Sequence, residues 1–90
     1  MITAAQMRAA RALLGIDQKK LAEMSGVSLP TIQRMEASDG NVRGIVDSLT
    51  KVVEALQTAG IELINEHVRS ESGGRGVRLR QPGSPSGRAN

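Results

Sequence analysis

The chain has 90 residues, a formal net charge of +3, and no cysteine, phenylalanine, tyrosine or tryptophan. This length suffices for one small domain with an aliphatic core, and the missing cysteines exclude disulfides and thiolate metal sites. The lack of aromatic rings argues against proteins that read single-stranded nucleic acid by stacking. No apolar run is long enough to predict a membrane span or a signal peptide, so a cytoplasmic protein is expected.

The first predicted element is a helix whose start and end are both marked. Thr3 is a good N-cap residue, and Gln6, three residues later, completes a capping-box pattern with it. Apolar side chains then recur at three- and four-residue spacing until Gly15, which is typical of a helix stop. These signals predict helix 1 from about Ala4 to Leu14.

A second, shorter helix is predicted directly after the first. Asp17 can cap its N-terminus, and Gly26 marks its end because glycine easily adopts the left-handed conformation that a sharp turn requires. Helix 2 is therefore expected over residues 18–25. Its inner face would carry Leu21, Ala22 and, as a filler of the aliphatic core, Met24.

Helix 3 is predicted only a short turn later. Ser28 is a suitable N-cap, and Pro30 lies in the first turn, where its missing N–H removes no helical hydrogen bond. Ile32 and Met35 repeat at helical spacing and are expected to be buried, and the helix should end near Glu36. Two short helices joined by a tight glycine turn predict a helix-turn-helix whose second helix projects its outer face.

The rest of the chain changes from helical to strand patterning. After a polar loop with two glycines, an apolar stripe predicts helix 4 over residues 45–59, with Gly60 as its stop. The segments 61–65 and 76–80 alternate apolar and polar residues, which predicts a β-hairpin. The Pro/Gly/Ser-rich tail, 81–90, has nothing to bury and is expected to be disordered.

The helix-turn-helix segment resembles a known family at many positions with fixed offsets. The stretch IDQKKLAEMSGVSLPTIQRME is similar to the Cro/C1-type helix-turn-helix of phage repressors and Xre-like bacterial regulators. The resemblance implies a mainly α fold, in which a bundle of four helices is followed by a short β-hairpin or dimerising strands. The matching residues are Gln18, Leu21, Ala22, Gly26, Val27, Ser28, Thr31, Ile32, Arg34, Met35 and Glu36.

The resemblance also divides the chain into three segments. Residues 1–60 are expected to form a helix-turn-helix DNA-binding domain. Residues 61–80 are expected to form the hairpin, which resembles the strand-rich ending of small single-domain members of the group and is the predicted dimerisation segment. Residues 81–90 remain as the tail.

The outer face of helix 3 is expected to enter the major groove of double-stranded DNA. Arg34 carries a planar donor fork that suits guanine O6 and N7, and Gln33 can pair with adenine. Leu29 and Pro30 have no side-chain donors and can touch only thymine methyl groups or sugars. Because related repressors often have polar readers at these positions, this departure favours shape readout.

Contacts with the phosphate backbone are expected at helix starts and in the loop after helix 3. Gln18 opens helix 2, where the helix dipole favours an anion, and the resemblance implies that it holds a phosphate. Ser28 and Thr31 offer hydroxyl groups near the start of helix 3, and Arg43 would clamp the backbone from the loop. An alternative set of backbone contacts lies on the hairpin: Arg75, Arg78 and Arg80.

Arg11 and Glu36 are expected to have a structural role. In the family, an arginine on helix 1 pairs with a glutamate that ends helix 3, and these two residues fall at the matching offsets. The resemblance therefore implies a partly buried ion pair that fixes the recognition helix and does not contact DNA.

No chemistry beyond binding is expected. The only histidine, His67, lies in a polar segment without the partners of a metal site or a catalytic triad. The aspartates fit helix caps and loops better than paired acids and bases. We therefore predict no enzyme, cofactor, metal, membrane contact or small-molecule ligand.

The leading hypothesis is a sequence-specific transcriptional regulator, and specifically a repressor, that binds double-stranded DNA. One short helix reads few base pairs, so two copies on a palindromic operator, with half-sites about 34 Å apart, are expected. Helix 4 and the strands, with Val77 and Leu79 at an exposed edge, are the expected dimer surface. The alternative is an antitoxin-like or adaptor protein whose C-terminal segment binds a partner protein.

Overall fold

The computed structural model describes residues 2–42, 46–65 and 73–80. Within these ranges the chain forms four helices followed by a two-stranded antiparallel sheet, which confirms the predicted fold class. The elements are α1 (Ala4–Leu14), α2 (Gln18–Ser25), α3 (Leu29–Glu36), α4 (Val46–Thr58), β1 (Ile61–Ile64) and β2 (Gly76–Leu79). None of the helices in these ranges is long and apolar enough to cross a lipid bilayer.

The first three helices begin where predicted because side chains cap their unpaired N–H groups. The hydroxyl of Thr3 accepts a hydrogen bond from the backbone N–H of Gln6 at 3.1 Å. In return the side-chain carbonyl of Gln6 accepts one from the backbone N–H of Thr3 at 2.9 Å, which completes the predicted capping box. Asp17 and Ser28 cap α2 and α3 through the N–H groups three residues later.

One aliphatic core joins the helices to the hairpin. Each helix and β1 contribute to it, and the buried apolar residues are Ile2, Ala4, Met7, Ala10, Leu21, Val27, Ile32, Met35, Val42, Leu49, Val52, Leu56 and Ile61. The predicted burial of Met24 is wrong, since 37% of this residue is exposed. The inner face of α2 runs through Leu21, Ala22 and Ser25, which leaves Met24 at the rim of a groove against α4.

The loop after α3 is fixed against the start of α1. Thr3 and Asn41 form an isolated antiparallel bridge, and the backbone N–H of Val42 donates to the carbonyl of Ile2 at 3.0 Å. These backbone contacts therefore hold the loop after α3 against the residues that precede α1. Arg43, the predicted phosphate contact of this loop, lies outside the described residues.

The two strands pair in the alternation that the sequence predicts. Ile61 lies opposite Leu79 and Leu63 opposite Val77, so these four side chains share one face of the sheet. Ile61 belongs to the core, and Leu63 and Val77 pack against it. His67 and the predicted disordered tail fall outside the part of the chain that the structure describes.

Gly60 joins α4 to β1 in a conformation that other residues rarely adopt. Its φ is 107°, and a Cβ at this position would lie 3.3 Å from Cδ1 of Leu79. We expect Gly60→Ala to lower the free energy of unfolding by about 2 kcal/mol, because it combines backbone strain with a tight contact. Gly15→Ala is the control, since Gly15 also has a positive φ of 68° but nothing within 4 Å of its Cβ position. Its loss should be nearer about 1 kcal/mol, and equal losses in urea unfolding would contradict the role given to Leu79.

Candidate nucleic-acid interface

Helix α3 separates an anchored inner face from a polar outer face. Ile32 and Met35 are buried, whereas Gln33 and Arg34 are exposed, as predicted. A helix has 3.6 residues per turn, so positions 32 and 35 lie on the same side of α3 and positions 33 and 34 lie on the other. Among the other residues predicted to contact DNA from α3 and its cap, Ser28 and Pro30 are exposed and Leu29 and Thr31 are partly buried.

Three polar side chains of the outer face are linked at three-residue spacing. The hydroxyl groups of Ser28 and Thr31 lie 2.8 Å apart in a hydrogen bond. Nη2 of Arg34 donates to Oγ1 of Thr31 at 3.3 Å, and the other N–H groups of the guanidinium have no partner among the described residues. Thr31 therefore orients the arginine fork and leaves most of its donors available.

The buried carboxylate of Glu36 joins the first three helices behind this face. Nε and Nη2 of Arg11 donate to its two oxygens at 2.7 Å each, which confirms the predicted ion pair in a bidentate geometry. Nε2 of Gln18 donates to Oε1 of Glu36 at 3.2 Å. Nη1 of Arg8 donates to the backbone carbonyl of Glu36 at 2.6 Å and thereby caps the end of α3.

Arg11 keeps its positive charge at any physiological pH. The Glu36 side chain is 3% exposed and that of Arg11 20%. The hydrogen bond with Glu36 raises the pKa of Arg11 above its ordinary value; burial opposes the rise, and the charges of Glu36 and Asp17 add to it. Because the pKa is higher in the folded state, the ion pair stabilises the fold fully when the pH is below the unfolded-state pKa. This stabilisation is lost only when the pH rises through the folded-state pKa. Both values lie far above neutrality for arginine.

Sequence reasoning missed part of this cluster. It assigned Gln18 only to a phosphate and gave Arg8 no role, whereas both donate to Glu36. A signal was available, because a buried carboxylate accepts about four hydrogen bonds and one arginine cannot supply them all. Arg8 also lies three residues before Arg11, on the same side of α1.

The hairpin arginines have partners within the chain. Nη1 of Arg75 donates to the side-chain oxygen of Asn65, Arg78 binds Glu62 through both of its carboxylate oxygens, and Nη2 of Arg80 donates to the backbone carbonyl of Gln57. These exposed contacts link the arginines to the hairpin and to the end of α4, and the alternative contacts of these residues with the DNA backbone stay a prediction. In the part of the chain that the structure describes, no group of three or more His, Cys, Asp or Glu residues could hold a metal ion.

Removal of the charged partner of Glu36 should destabilise the fold. Arg11→Met keeps much of the apolar stem but leaves a buried carboxylate unpaired, so we expect a loss of about 2–3 kcal/mol in the free energy of unfolding. Lys51→Met is the matched control, because Lys51 and Asp47 form an exposed ion pair at 3.3 Å. That pair should contribute less than about 0.5 kcal/mol. Urea unfolding measures both variants, and a loss for Arg11→Met as small as that of the control would refute the structural role of the pair.

Comparison with known families agrees with this geometry. A family model described as Helix-turn-helix matches residues 7–59, more than half of the chain, and this match extends from α1 to the end of α4. A comparison with curated proteins gave no match. The matched segment contains the α2–turn–α3 unit, the buried Glu36 and the outward face of α3. The chain therefore belongs to the Cro/C1-type helix-turn-helix family of DNA-binding transcriptional regulators.

Proposed function

We propose that the protein is a sequence-specific repressor that binds a palindromic operator as a homodimer, with one α3 in the major groove of each half-site. The observation that carries this proposal is the geometry of α3. Ile32 and Met35 anchor the helix in the core, while Gln33 and Arg34 protrude from it. A helix held in this way can present side chains to base edges without rearrangement of the fold.

Arg34 is the principal base reader in this proposal. Its fork is held by Thr31, and a pre-oriented guanidinium loses less conformational entropy when it binds guanine O6 and N7. Gln33 would bind the neighbouring base, and Leu29 and Pro30 would contact thymine methyl groups or sugars. Specificity would then depend on few hydrogen bonds and on the shape of the duplex.

The phosphate contacts would flank this reading face. Gln18 is the first residue of α2, and the second N–H of its amide has no partner among the residues described. Glu36 would hold this amide in place while the second N–H meets a phosphate oxygen. Ser28 and Thr31 would add hydroxyl donors at the start of α3, and Arg43 would contact the backbone from the following loop.

Strand β2 is the first part of the proposed dimer surface. The backbone N–H of Arg80 donates to the carbonyl of Gly60 at 2.9 Å. Together with the register, this bond implies that the N–H and C=O groups of Val77 and Leu79 point away from β1. Within the described ranges β2 pairs only with β1, and Leu79 is 38% exposed. Such an edge is suited to antiparallel pairing with the same strand of a second copy.

Helix α4 is the second part of this surface. An open groove of about 370 Å³ lies between α4 and β1, and Val46, Val53 and Leu63 supply its apolar walls. Val46 is 68% exposed. Homodimer interfaces are richer in apolar area than the rest of a protein surface, so a second copy is the occupant that fits this groove.

Selection of bound duplexes from a random library tests the function as a whole. We expect a two-fold symmetric consensus with guanine at equivalent positions of the half-sites. Binding without any sequence preference would contradict the regulator proposal. A consensus that contains a single half-site would keep DNA recognition and contradict the homodimer.

Arg34→Ala should weaken binding to the selected operator by about 5- to 150-fold for each half-site, because one bidentate base contact supplies about 1–3 kcal/mol of discrimination. The thermal melt should hardly change, since Arg34 is exposed and its side chain is bonded, among the described residues, only to Thr31. Lys51→Ala removes the same charge from α4 and should leave specific binding within about twofold. Titrations in fluorescence anisotropy with selected and scrambled duplexes measure both variants. An equal effect of the two substitutions would show that Arg34 acts only through its charge.

Leu79→Lys should shift the chain from dimer to monomer, because two new charges would face each other across the two-fold axis. Circular dichroism should still report a folded chain, since Leu79 is the most exposed of the four residues on its face of the sheet. Sedimentation equilibrium compares it with wild type, and Lys51→Ala serves again as the control. A wild-type chain that is monomeric in solution and on DNA would favour the adaptor alternative, in which the hairpin binds another protein.

A further inference from the structure

We infer that Gln6 determines which spacing of half-sites the dimer accepts, because its side chain fixes the hairpin to the helix that supports the recognition helix. The inference rests on the proposed homodimer and assigns a specificity role to a residue far from the reading face. Gln6 and Glu36 are the two buried polar side chains in the described part of the chain. The buried side chain of Glu36 is bound by Arg11 and Gln18, whereas that of Gln6 is bound to the hairpin.

The amide of Gln6 spans both strands of the hairpin. Its Nε2 donates to the backbone carbonyl of Ile64 at 3.1 Å, to that of Gly76 at 3.0 Å and to Oδ1 of Asn65 at 3.2 Å. Ile64 and Gly76 are paired residues at the end of the sheet farthest from Gly60. One side chain therefore contacts β1, β2 and the residue that leaves β1.

The other atom of the same amide is already bound. Oε1 of Gln6 accepts the backbone N–H of Thr3 at 2.9 Å as part of the capping box of α1. With its oxygen held by the cap, the amide can present its N–H groups in one direction only, toward the hairpin. The amide of Gln6 therefore fixes the position of the hairpin relative to the start of α1.

Helix α1 continues this connection to the recognition helix. Arg8 and Arg11 follow Gln6 by two and five residues, so their backbone positions lie within about 7.5 Å of it along the helix axis. Both arginines donate to Glu36 at the end of α3. Directional polar contacts therefore lead from the hairpin through one short helix to α3.

These contacts matter for spacing because apolar packing alone is poorly directional. Leu63 and Val77 pack against the core, but the hydrophobic effect scales with buried area and tolerates small rotations of the sheet. In a dimer joined through its hairpins, a tilt of about 10° over half of a separation of about 34 Å displaces each recognition helix by about 3 Å. This displacement is close to the rise of one base pair, about 3.4 Å.

The test uses the full chain and the operator obtained by selection. Wild type, Gln6→Met and Ala5→Gly are titrated against this operator, against versions with the central spacer one base pair shorter or longer, and against a single half-site. Met has a similar length but no amide, so Gln6→Met removes the polar contacts of the hairpin together with the bond that Gln6 makes in the capping box of α1. Ala5 is an exposed residue of α1, so Ala5→Gly lowers helix stability without touching the hairpin.

We expect wild type and Ala5→Gly to bind the altered spacers about tenfold more weakly than the selected one. Gln6→Met should reduce this penalty to about threefold or less, while its affinity for the single half-site stays the same. An unchanged spacer profile in Gln6→Met would overturn the inference and leave the dimer proposal intact. A wild type that binds half-sites independently at every spacing would instead overturn the dimer, and the inference with it.

A second variant keeps the test decisive if Gln6→Met does not fold. Asn65→Ala removes one of the three acceptors of Gln6, together with the acceptor of Arg75, and leaves the cap of α1 untouched. It should broaden the spacer profile in the same direction by a smaller factor. A profile as sharp as that of wild type in folded Asn65→Ala would count against the inference.

Discussion

The relative placement of the first three helices depends on the burial of one carboxylate. An ionised group inside a protein is costly unless charged and hydrogen-bonding partners surround it. Arg11 occupies both oxygens of Glu36, Gln18 adds a third donor, and Arg8 holds the backbone carbonyl of the same residue. Because these donors come from α1 and α2 and the acceptors from the last residue of α3, the contacts hold the three helices in place relative to one another.

This constraint explains how a core without aromatic rings can hold a helix at a defined angle. Aliphatic side chains fill the interior well, but their contacts carry little directional information. In the part of the chain that the structure describes, the two buried polar residues both make directional hydrogen bonds to other elements of the fold. Glu36 orients α3, and Gln6 orients the hairpin, so α1 is the common reference for the proposed reading element and for the proposed dimer element.

Local signals predicted most of the fold, and distant contacts escaped prediction. Caps and glycine stops lie next to the helices that they define, so α1, α2 and α3 have the predicted bounds, and α4 and the hairpin agree within about one residue where the structure describes them. Met24 was misplaced because α2 has only eight residues, too few for periodicity to separate neighbouring positions. The hydrogen bonds between Gln6 and the hairpin join residues that are 58 to 70 positions apart in the sequence. They escaped prediction because the capping box was already a sufficient local reason for a glutamine at this position. On α3 the burial pattern was predictable, whereas the base and phosphate contacts remain predictions because they need the duplex.

The two residues proposed to read DNA lie on the outward face of α3 and are largely independent of folding. Gln33 and Arg34 contribute nothing to the aliphatic interior, and the residues that hold the helix lie on its opposite side. Substitutions at these two positions can therefore accumulate with little effect on stability, whereas changes at Ile32, Met35 or Glu36 would destabilise the domain because these side chains are buried. A protein built in this way can evolve toward new operators, or be engineered to recognise them, on an unchanged scaffold.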